Sequence, residues 1–476
     1  MSYEMLKNRG RRRTVVFQKM PEHQVLPWGD SEKLRAMMTD QYRECSPASW
    51  AVEKTLDYVT MQTLQVLTDD PAFNDEFERE FLTWGEEADF IGIHSFDRMI
   101  ELLTRHLFLD GDAGLLLVKG YKLQGIEGNR ICRPTRWDDA PALAREATED
   151  GLVLDRFGRI RCYIICGWDQ FGYSKIFNAA VEPKNFCYVS NMFRFDQRRG
   201  TPPAANAWNT FQDIEEIHEA SNLKVKQHAM LAVAFTSNAE DPDGQDEAEF
   251  TDPNDQEPQT EEPGTDELGR YDDFQLNVGT KVELEPGDDI KLLESSAPGS
   301  NYAQLTEVQL RKGFNSWGIP YSIWDSSKAN YASMRVDRLE LSRTAYRRWL
   351  PQVLRTRNKV LKFVLPEILR RLEAKGIAIP AGVTPEALPY EWITDTDPWI
   401  DELNEVNAAG ERMDRGLSSH VAECKRRGVN AYRIINEEAK YLEYARLKGV
   451  TLTIGKPGQN VTETAVTQEE ATNANR

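Results

Sequence analysis

The chain has 476 residues, 40% hydrophobic and 28% charged, with a formal net charge of −19. That length exceeds one small core and points to several compact units or one elongated protomer with several layers; the longest apolar run, Ala229 to Phe235, is far short of the roughly 20 residues that cross a bilayer, so no membrane span is expected. The charge excludes less than it suggests: Glu240 to Gly269 holds 13 acidic residues and no Lys or Arg, so removing it leaves −6, and local basic sites remain free to meet DNA.

Residues 1–30 read as a basic arm. Lys7, Arg9, Arg11, Arg12 and Arg13 are followed by Thr-Val-Val-Phe-Gln-Lys and not by an apolar signal region, so a secretory leader is not expected. The arm is either solvated or in contact with nucleic acid or an acidic partner. Residues 31–67 read as one or two helices, capped by Ser31 and broken at Pro47, with Asp70-Pro71 ending the run. Further helices are expected over Ala72 to Ala88 and over Ser95 to Leu109, where Phe96, Met99, Ile100, Leu103 and Leu107 form an apolar stripe of ordinary core type. Strands follow at Leu115–Lys119, Arg159–Gly167, Tyr173–Phe177 and Asn185–Ser190, making the fold class α+β and predominantly helical.

A helix is expected over 206–238, an exposed or unstructured acidic stretch over 239–270, and two short strands near Phe274–Val278 and Lys281–Glu285. A helix from Tyr302 to Trp317 and a polar loop lead into the longest helix, about Ala332 to Lys375, interrupted at Pro351 and Pro366. It carries twelve Lys or Arg against four Asp or Glu, read as a solvated face, intersubunit pairing or contact with nucleic acid. Two or three short helices up to Gly449 and a polar tail complete the chain.

Enzyme chemistry finds little footing. The Gly455-Lys456 pair is followed by Pro457, so no phosphate-cradling loop is present. His218-Glu219 opens like a zinc-protease helix, but position 222 is Asn222. No G-x-S-x-G or G-x-G-x-x-G pattern occurs. The six cysteines fit reduced thiols, and Cys162 and Cys166 share a strand face as a packed pair or half of a zinc site. No cofactor or metal is expected.

The segment Pro298 to Arg335 singles itself out, with two helical pieces around a loop rich in Ser, Asn, Asp and Tyr. Its Pro298, Gly299, Asn301, Tyr302, then Gly318, Ile319, Pro320, Tyr321, then Asn330, Tyr331, Ala332, Ser333 and Arg335, resemble in order the turn, step and helix start of lambda-type portal proteins of tailed phages. Asp196, Gln197, Arg198, Arg199, Gly200 and Pro202 resemble the family's Q-R-G turn, while Asp397-Pro398 and Arg415-Gly416-Leu417-Ser418 resemble later elements. The acidic insertion and the lack of a Gly-x-Gly step near Leu67 depart from the pattern.

The resemblance implies a wing over 31–205, a first stem helix over 206–238 and a clip over 239–300 with the acidic insertion. It then implies a second stem helix over 301–318, a tunnel loop over 319–331, a kinked helix over 332–375, a crown region over 376–453 and a disordered tail over 454–476. It further implies a ring of twelve copies at one capsid vertex, assembled in the host cytoplasm and carried in the virion. Its partners would be sequence-independent double-stranded DNA, the terminase large subunit, capsid and scaffold proteins, and a head–tail adaptor.

Channel candidates are Ser326, Ser327, Lys328, Asn330 and Tyr331; Lys328 reads either as a transient phosphate contact or as an ordinary exposed lysine, and Tyr331 as a helix-start anchor or a base-stacking ring. Arg335, Arg338, Arg343, Arg347 and Arg348 are candidates for contacts between subunits. The acidic insertion is read as repelling DNA, recruiting a basic partner or keeping the ring soluble. The alternatives are a shell or adaptor protein, or a metal-dependent nucleic-acid enzyme with dispersed carboxylates.

Overall fold

A computed structural model describes residues 20–450 except 136, 138–142, 144–147, 173, 231–233, 238–287, 292–300, 385 and 395–401. The expectations for the arm before residue 20, the acidic stretch, the strands near 274–285, Pro298-Gly299, Asp397-Pro398 and the tail lie outside the described residues. The chain divides into two units, one of residues 1–212 with 309–476 and one of residues 213–308. The class is the expected α+β, mainly helical.

The first unit opens with a short helix α1 (Glu22–Val25), then α2 (Trp28–Glu44) and α3 (Ser46–Val59). Ser31 is not the cap of α2: that helix starts after Pro27, and Ser31 is buried inside it. The expected break near Pro47 falls at Cys45, where α2 ends and α3 begins; Pro47 itself stands in the first turn of α3, where the missing N–H has no partner to lose. Gln62–Val66, expected to be helical, is strand β1. It runs antiparallel to Tyr390–Thr394, with Gln62 opposite Thr394 and Val66 opposite Tyr390.

Asp70 caps α4 (Pro71–Glu86) by accepting from the amides of Ala72 at 3.0 Å and Phe73 at 3.2 Å. Ser95 caps α5 (Phe96–Leu109), and the expected stripe of Phe96, Met99, Ile100, Leu103 and Leu107 is buried.

Two antiparallel sheets follow. β2 (Asp112–Val118) lies between β3 (Lys122–Glu127) and the later β8; β4 (Thr148–Glu149), β5 (Leu152–Leu154), β6 (Ile160–Trp168) and β7 (Lys175–Val181) form the other sheet in that order; β8 is Phe186–Ser190. The expected strands are present with shifted ends, and β3, β4 and β5 add to them. The β2–β3 hairpin turns on Gly120 (φ 82) and Tyr121 (φ 59), a tyrosine in the left-handed region where glycine or asparagine is the usual choice. Both faces of β6 are buried. Tyr163 and Ile165 pack with Ile126, Leu152 and Phe186, while Cys162, Ile164 and Cys166 pack with Cys132 and Val153. Cys162 and Cys166 thus share one apolar face, and the Cys166 thiol donates to the Cys132 carbonyl at 3.2 Å. Among the described residues no three His, Cys, Asp or Glu gather closely enough to hold a metal.

Helix α6 spans Trp208–Met230, not 206–238, and the apolar run it was expected to include continues as strand β9 (Ala234–Ser237). In the second unit β9 pairs antiparallel with β10 (Asp288–Lys291). The same unit holds His218 of α6 and Tyr302 of α7 (Asn301–Asn315), hydrogen-bonded at 2.5 Å with rings edge to face.

The rest of the first unit runs through α8 (Tyr321–Trp324), α9 (Tyr331–Arg348) and α10 (Leu350–Ala374). The long helix expected over 332–375 is therefore two helices. They part at Trp349 (φ −111, ψ −45), which is 1% exposed and meets Phe108 edge to face at 4.7 Å. Pro351 starts α10 rather than kinking a longer helix, and Pro366 sits inside α10 without ending it. There the buried face of Val360, Leu361, Val364, Leu365, Ile368, Leu369 and Leu372 outweighs one lost hydrogen bond. Arg371 and Lys375 reach Glu80 and tie α10 to α4. β11 (Tyr390–Thr394), the partner of β1, precedes α11 (Glu402–Asp414), α12 (His420–Arg426) and α13 (Ala431–Leu447). Arg412 grips Glu423 through two hydrogen bonds, at 3.0 and 2.9 Å, joining α11 to α12. Among the described residues no helix is long and apolar enough to cross a membrane.

Candidate channel segment

The loop over 319–331 is fastened at both ends and bare at its tip. At its entry, Gly318 adopts φ 75 and donates to Asn315 O at 3.2 Å, while Ile319 donates to Phe314 O at 3.2 Å. This is the paired closure that ends helices on a left-handed residue. A Cβ on Gly318 would also stand 2.8 Å from Thr344 Cγ2, so the position calls for glycine twice over. Ile319 is buried, Pro320 directs the chain into α8, and Trp324 packs edge to face on Trp50 at 5.0 Å and beside Phe314 at 5.5 Å. Ser322 hydrogen-bonds Asp337, holding α8 to α9.

At the exit, Asn330 caps α9 by accepting from the Ser333 amide at 2.8 Å, and the Ser333 hydroxyl accepts from the Asn330 amide at 3.1 Å. The polar residue expected beside a phosphate contact thus has its side-chain oxygen committed to the helix start.

Between these fastenings Ser326, Ser327, Lys328 and Asn330 are exposed. The Asp325 carboxylate accepts from the Ser327 amide at 2.9 Å, and Ala329 donates to Ser326 O at 3.0 Å, folding the tip on itself. Bonds from the Ser327 hydroxyl and amide, with Lys328 close by, hold the Asp325 carboxyl below its ordinary range. Near neutral pH the tip therefore carries one negative and one positive charge. Tyr331 is 49% exposed, so within the protomer its ring is not the packed anchor that one reading expected.

The five arginines of α9 divide into two groups. Arg335 pairs with Glu405 of α11 at 3.6 Å, and Arg348 lies over the Trp349 ring at 4.5 Å, where burial lowers its pKa. Arg338, Arg343 and Arg347 have no carboxylate partner among the described residues. They share α9 with Val336 and Leu339, 63% and 62% exposed, and only Leu341 and Ala345 of that helix are buried. A helix so thinly packed on its own protomer leaves most of its surface for other contacts.

The sequence had marked the turn at 196–200 without assigning it a task. The structure shows a charged joint there. Asp112, 0% exposed, receives Arg199 through Nε at 2.7 Å and Nη2 at 2.9 Å, the Gly200 amide at 2.8 Å and the Tyr188 hydroxyl at 2.7 Å. Arg199 also donates to the carbonyls of Gly128 at 2.8 Å, Asp150 at 2.5 Å and Ile131. Arg35 approaches Asp112 at 3.9 Å and Asp150 at 3.8 Å. Burial alone would raise the Asp112 pKa, but Arg199 and Arg35 outweigh it and hold the group below the usual carboxylate range. Gly200 is obligatory, because a Cβ there would stand 1.9 Å from Gly111 O. A second buried cation, Arg357 of α10, was read only as part of the long helix's charge. It is 1% exposed and donates to Gln62 at 3.0 Å and Thr60 O at 2.7 Å, between the rings of Phe96 and Trp392.

The described residues thus form a mainly helical α+β protomer that carries an exposed polar loop fastened at both ends. The sequence model for phage portal proteins of the lambda family matches residues 11–349, and the chain belongs to that family. No curated protein matches it by sequence. Among solved structures it is similar to a chain in the neck of an empty gene transfer agent (GTA) particle, with a TM-score of 0.51, 15% identity, and 84% of this chain and 95% of that chain covered. A chain from the virion of the native GTA particle gives a TM-score of 0.47 at 17% identity, covering 84% and 94%. An HK97-family phage portal protein from Corynebacterium diphtheriae gives 0.31 at 12% identity, covering 81% and 98%. The chain is a phage portal protein, and its family is a structural one.

Proposed function

We propose that identical protomers, twelve in number, close around a hollow axis at one capsid vertex, and that duplex DNA enters, is retained and leaves through that opening. The segment 319–331 points into it as the tunnel loop. The observation that carries this reading is the loop's construction, with both ends fixed by packing and capping and a self-folded tip bearing one cation and one carboxylate. Duplex DNA presents a charge about every 1.7 Å along its axis, so a strongly basic lining would hold it too tightly to slide. A tip of zero net charge with several hydroxyl and amide groups offers weak contacts that repeat around the ring without reading sequence. Lys328 supplies the transient phosphate contact, with Ser326 and Ser327 beside it.

In this assembly residues 206–238 and 301–318 serve as the stem, 239–300 as the clip that meets the terminase large subunit and later the head–tail adaptor, 31–205 as the wing and 376–453 as the crown. Arg338, Arg343 and Arg347, with Val336 and Leu339, face the neighbouring protomer, and capsid and scaffold proteins meet the outer surface. The product assembles in the host cytoplasm and remains in the virion.

Electron microscopy of the purified chain tests the ring: annular particles with a central opening are expected, and solitary molecules or closed shells overturn it. Lys328→Ala tests the loop. Packaging rate or DNA retention should change, more at low salt than at high salt, and unchanged behaviour at both removes Lys328 from the channel contact.

A further inference from the structure

Within the first unit, β6, β8 and α10 enclose a cavity of about 440 Å³ with no aspartate or glutamate in its lining. Phe186 and Met192 give it apolar walls, and Arg355 and Lys359, one helical turn apart on α10, give it two positive charges. Lys359 Nζ donates to two neutral carbonyls, Pro183 O at 2.5 Å and Phe186 O at 2.9 Å, so its charge is held in place but not compensated. The Arg355 guanidinium has neither a hydrogen bond nor an ion pair among the described residues. Tyr163, only 5% exposed, also lines the cavity, and its hydroxyl has no hydrogen-bond partner among the described residues.

Two cations thus line one cavity with no carboxylate between them, and the Tyr163 hydroxyl has its donor to spare. Burial lowers the Lys359 pKa, and the like charge of Arg355 adds to the effect; it also pushes Tyr163 up to about 12. An anion placed between the two cations would relieve this arrangement.

We propose that this cavity is a recognition pocket for an acidic peptide segment of a partner protein. It takes an aspartate or glutamate carboxylate between Arg355 and Lys359, with the Tyr163 hydroxyl as a further donor and an apolar neighbour of the acid against Phe186 and Met192. A peptide fits the enclosure better than DNA does: a duplex carries its phosphates on a rigid convex ridge, which a row of cations on an open surface would meet, whereas a side chain on a short strand of peptide can enter a cavity of this size. The pocket depends on the fold of the protomer and not on the channel reading.

The test is fluorescence anisotropy with the full chain and a short fluorescein-labelled peptide of alternating glutamate and leucine. Its glutamine counterpart is the control and labelled duplex DNA the rival probe. The glutamate peptide should bind at least tenfold more tightly than the glutamine peptide, and Arg355→Gln and Lys359→Gln should each raise its Kd about tenfold. Arg355 is exposed, so its variant decides the matter alone if the Lys359 variant fails to fold. Equal binding of the two peptides overturns the proposal, as does an unchanged Kd in Arg355→Gln. Loss of DNA binding in these variants with peptide binding intact overturns it in favour of nucleic acid. Arg355→Gln should leave ring images unaltered, which separates failure of the pocket from failure of the channel.

Discussion

The chain sets a cation against a carboxylate in two contrasting places. At the joint, Arg199 and Asp112 are almost wholly excluded from water and their bonding capacity is nearly filled by backbone and tyrosine partners. At the loop tip, Lys328 is exposed and Asp325 partly so, near one another, and the carboxylate is satisfied by the next turn of chain. The same two charge types fix geometry in the first case and leave a weak, reusable surface in the second. Dielectric surroundings account for the difference: a buried pair cannot exchange its partner for water, while an exposed pair is screened at little cost.

Substitutions at the two places should separate them sharply. The largest effect is expected for Asp112→Asn, which leaves the buried Arg199 only the Asp150 carboxylate, at 3.3 Å, as counter-charge and should lower unfolding stability by about 3 kcal/mol in denaturant melts. A loss below about 1 kcal/mol would mean that Asp150 and the carbonyls around Arg199 suffice without Asp112.

Acid should expose the same group. Its pKa is lower folded than unfolded, so its contribution is complete above the ordinary Asp value of about 3.9 and is lost as pH falls toward the depressed native value. Wild-type protein should therefore lose stability as pH falls through this range, and Asp112→Asn should show a visibly shallower slope below about pH 4. Parallel slopes would assign acid sensitivity to other carboxylates.

A smaller effect, about 1 kcal/mol, is expected for Asn330→Ala, which removes the cap of α9 and frees the loop's exit. Amide exchange should quicken in the first turn of α9 and not in α10; quickening in both would show the two helices to open as one. The smallest change belongs to Lys328→Ala, within about 0.5 kcal/mol of wild type. Any effect it has on packaging then reflects contact with DNA and not loss of fold.

Much of the architecture was legible because its signals are local. The stripe of α5 and the apolar strand over Arg159–Gly167 each lie within one short window. Readings failed where a distant partner decides. Gln62–Val66 is extended because Tyr390–Thr394 pairs with it, and nothing nearby announces that pairing. Pro366 remains helical because the buried face of α10 offsets the lost bond, and Pro351 marks a start because Trp349 is drawn into the core.

The loop was found by its composition and order. Its tip could not be resolved that way, since the commitment of Asn330 to Ser333 and of Asp325 to Ser327 is a matter of angles. The turn at 196–200 stood out as a string, but the role of Arg199 required Asp112, which in sequence is one more acid at a strand start. Arg355 and Lys359 were hidden among twelve basic residues on the long helical stretch, and only the absence of acids around their cavity sets them apart.

The pairing of β1 with β11 carries a cost during translation. After Val66 leaves the ribosome, its partner Tyr390 is still more than three hundred codons away, a wait on the order of half a minute at typical elongation rates. For that interval a strand with unmet amides and carbonyls is open to other nascent chains. Slowing its synthesis should therefore lower the yield of soluble subunits, and added chaperones that shield such edges should restore it.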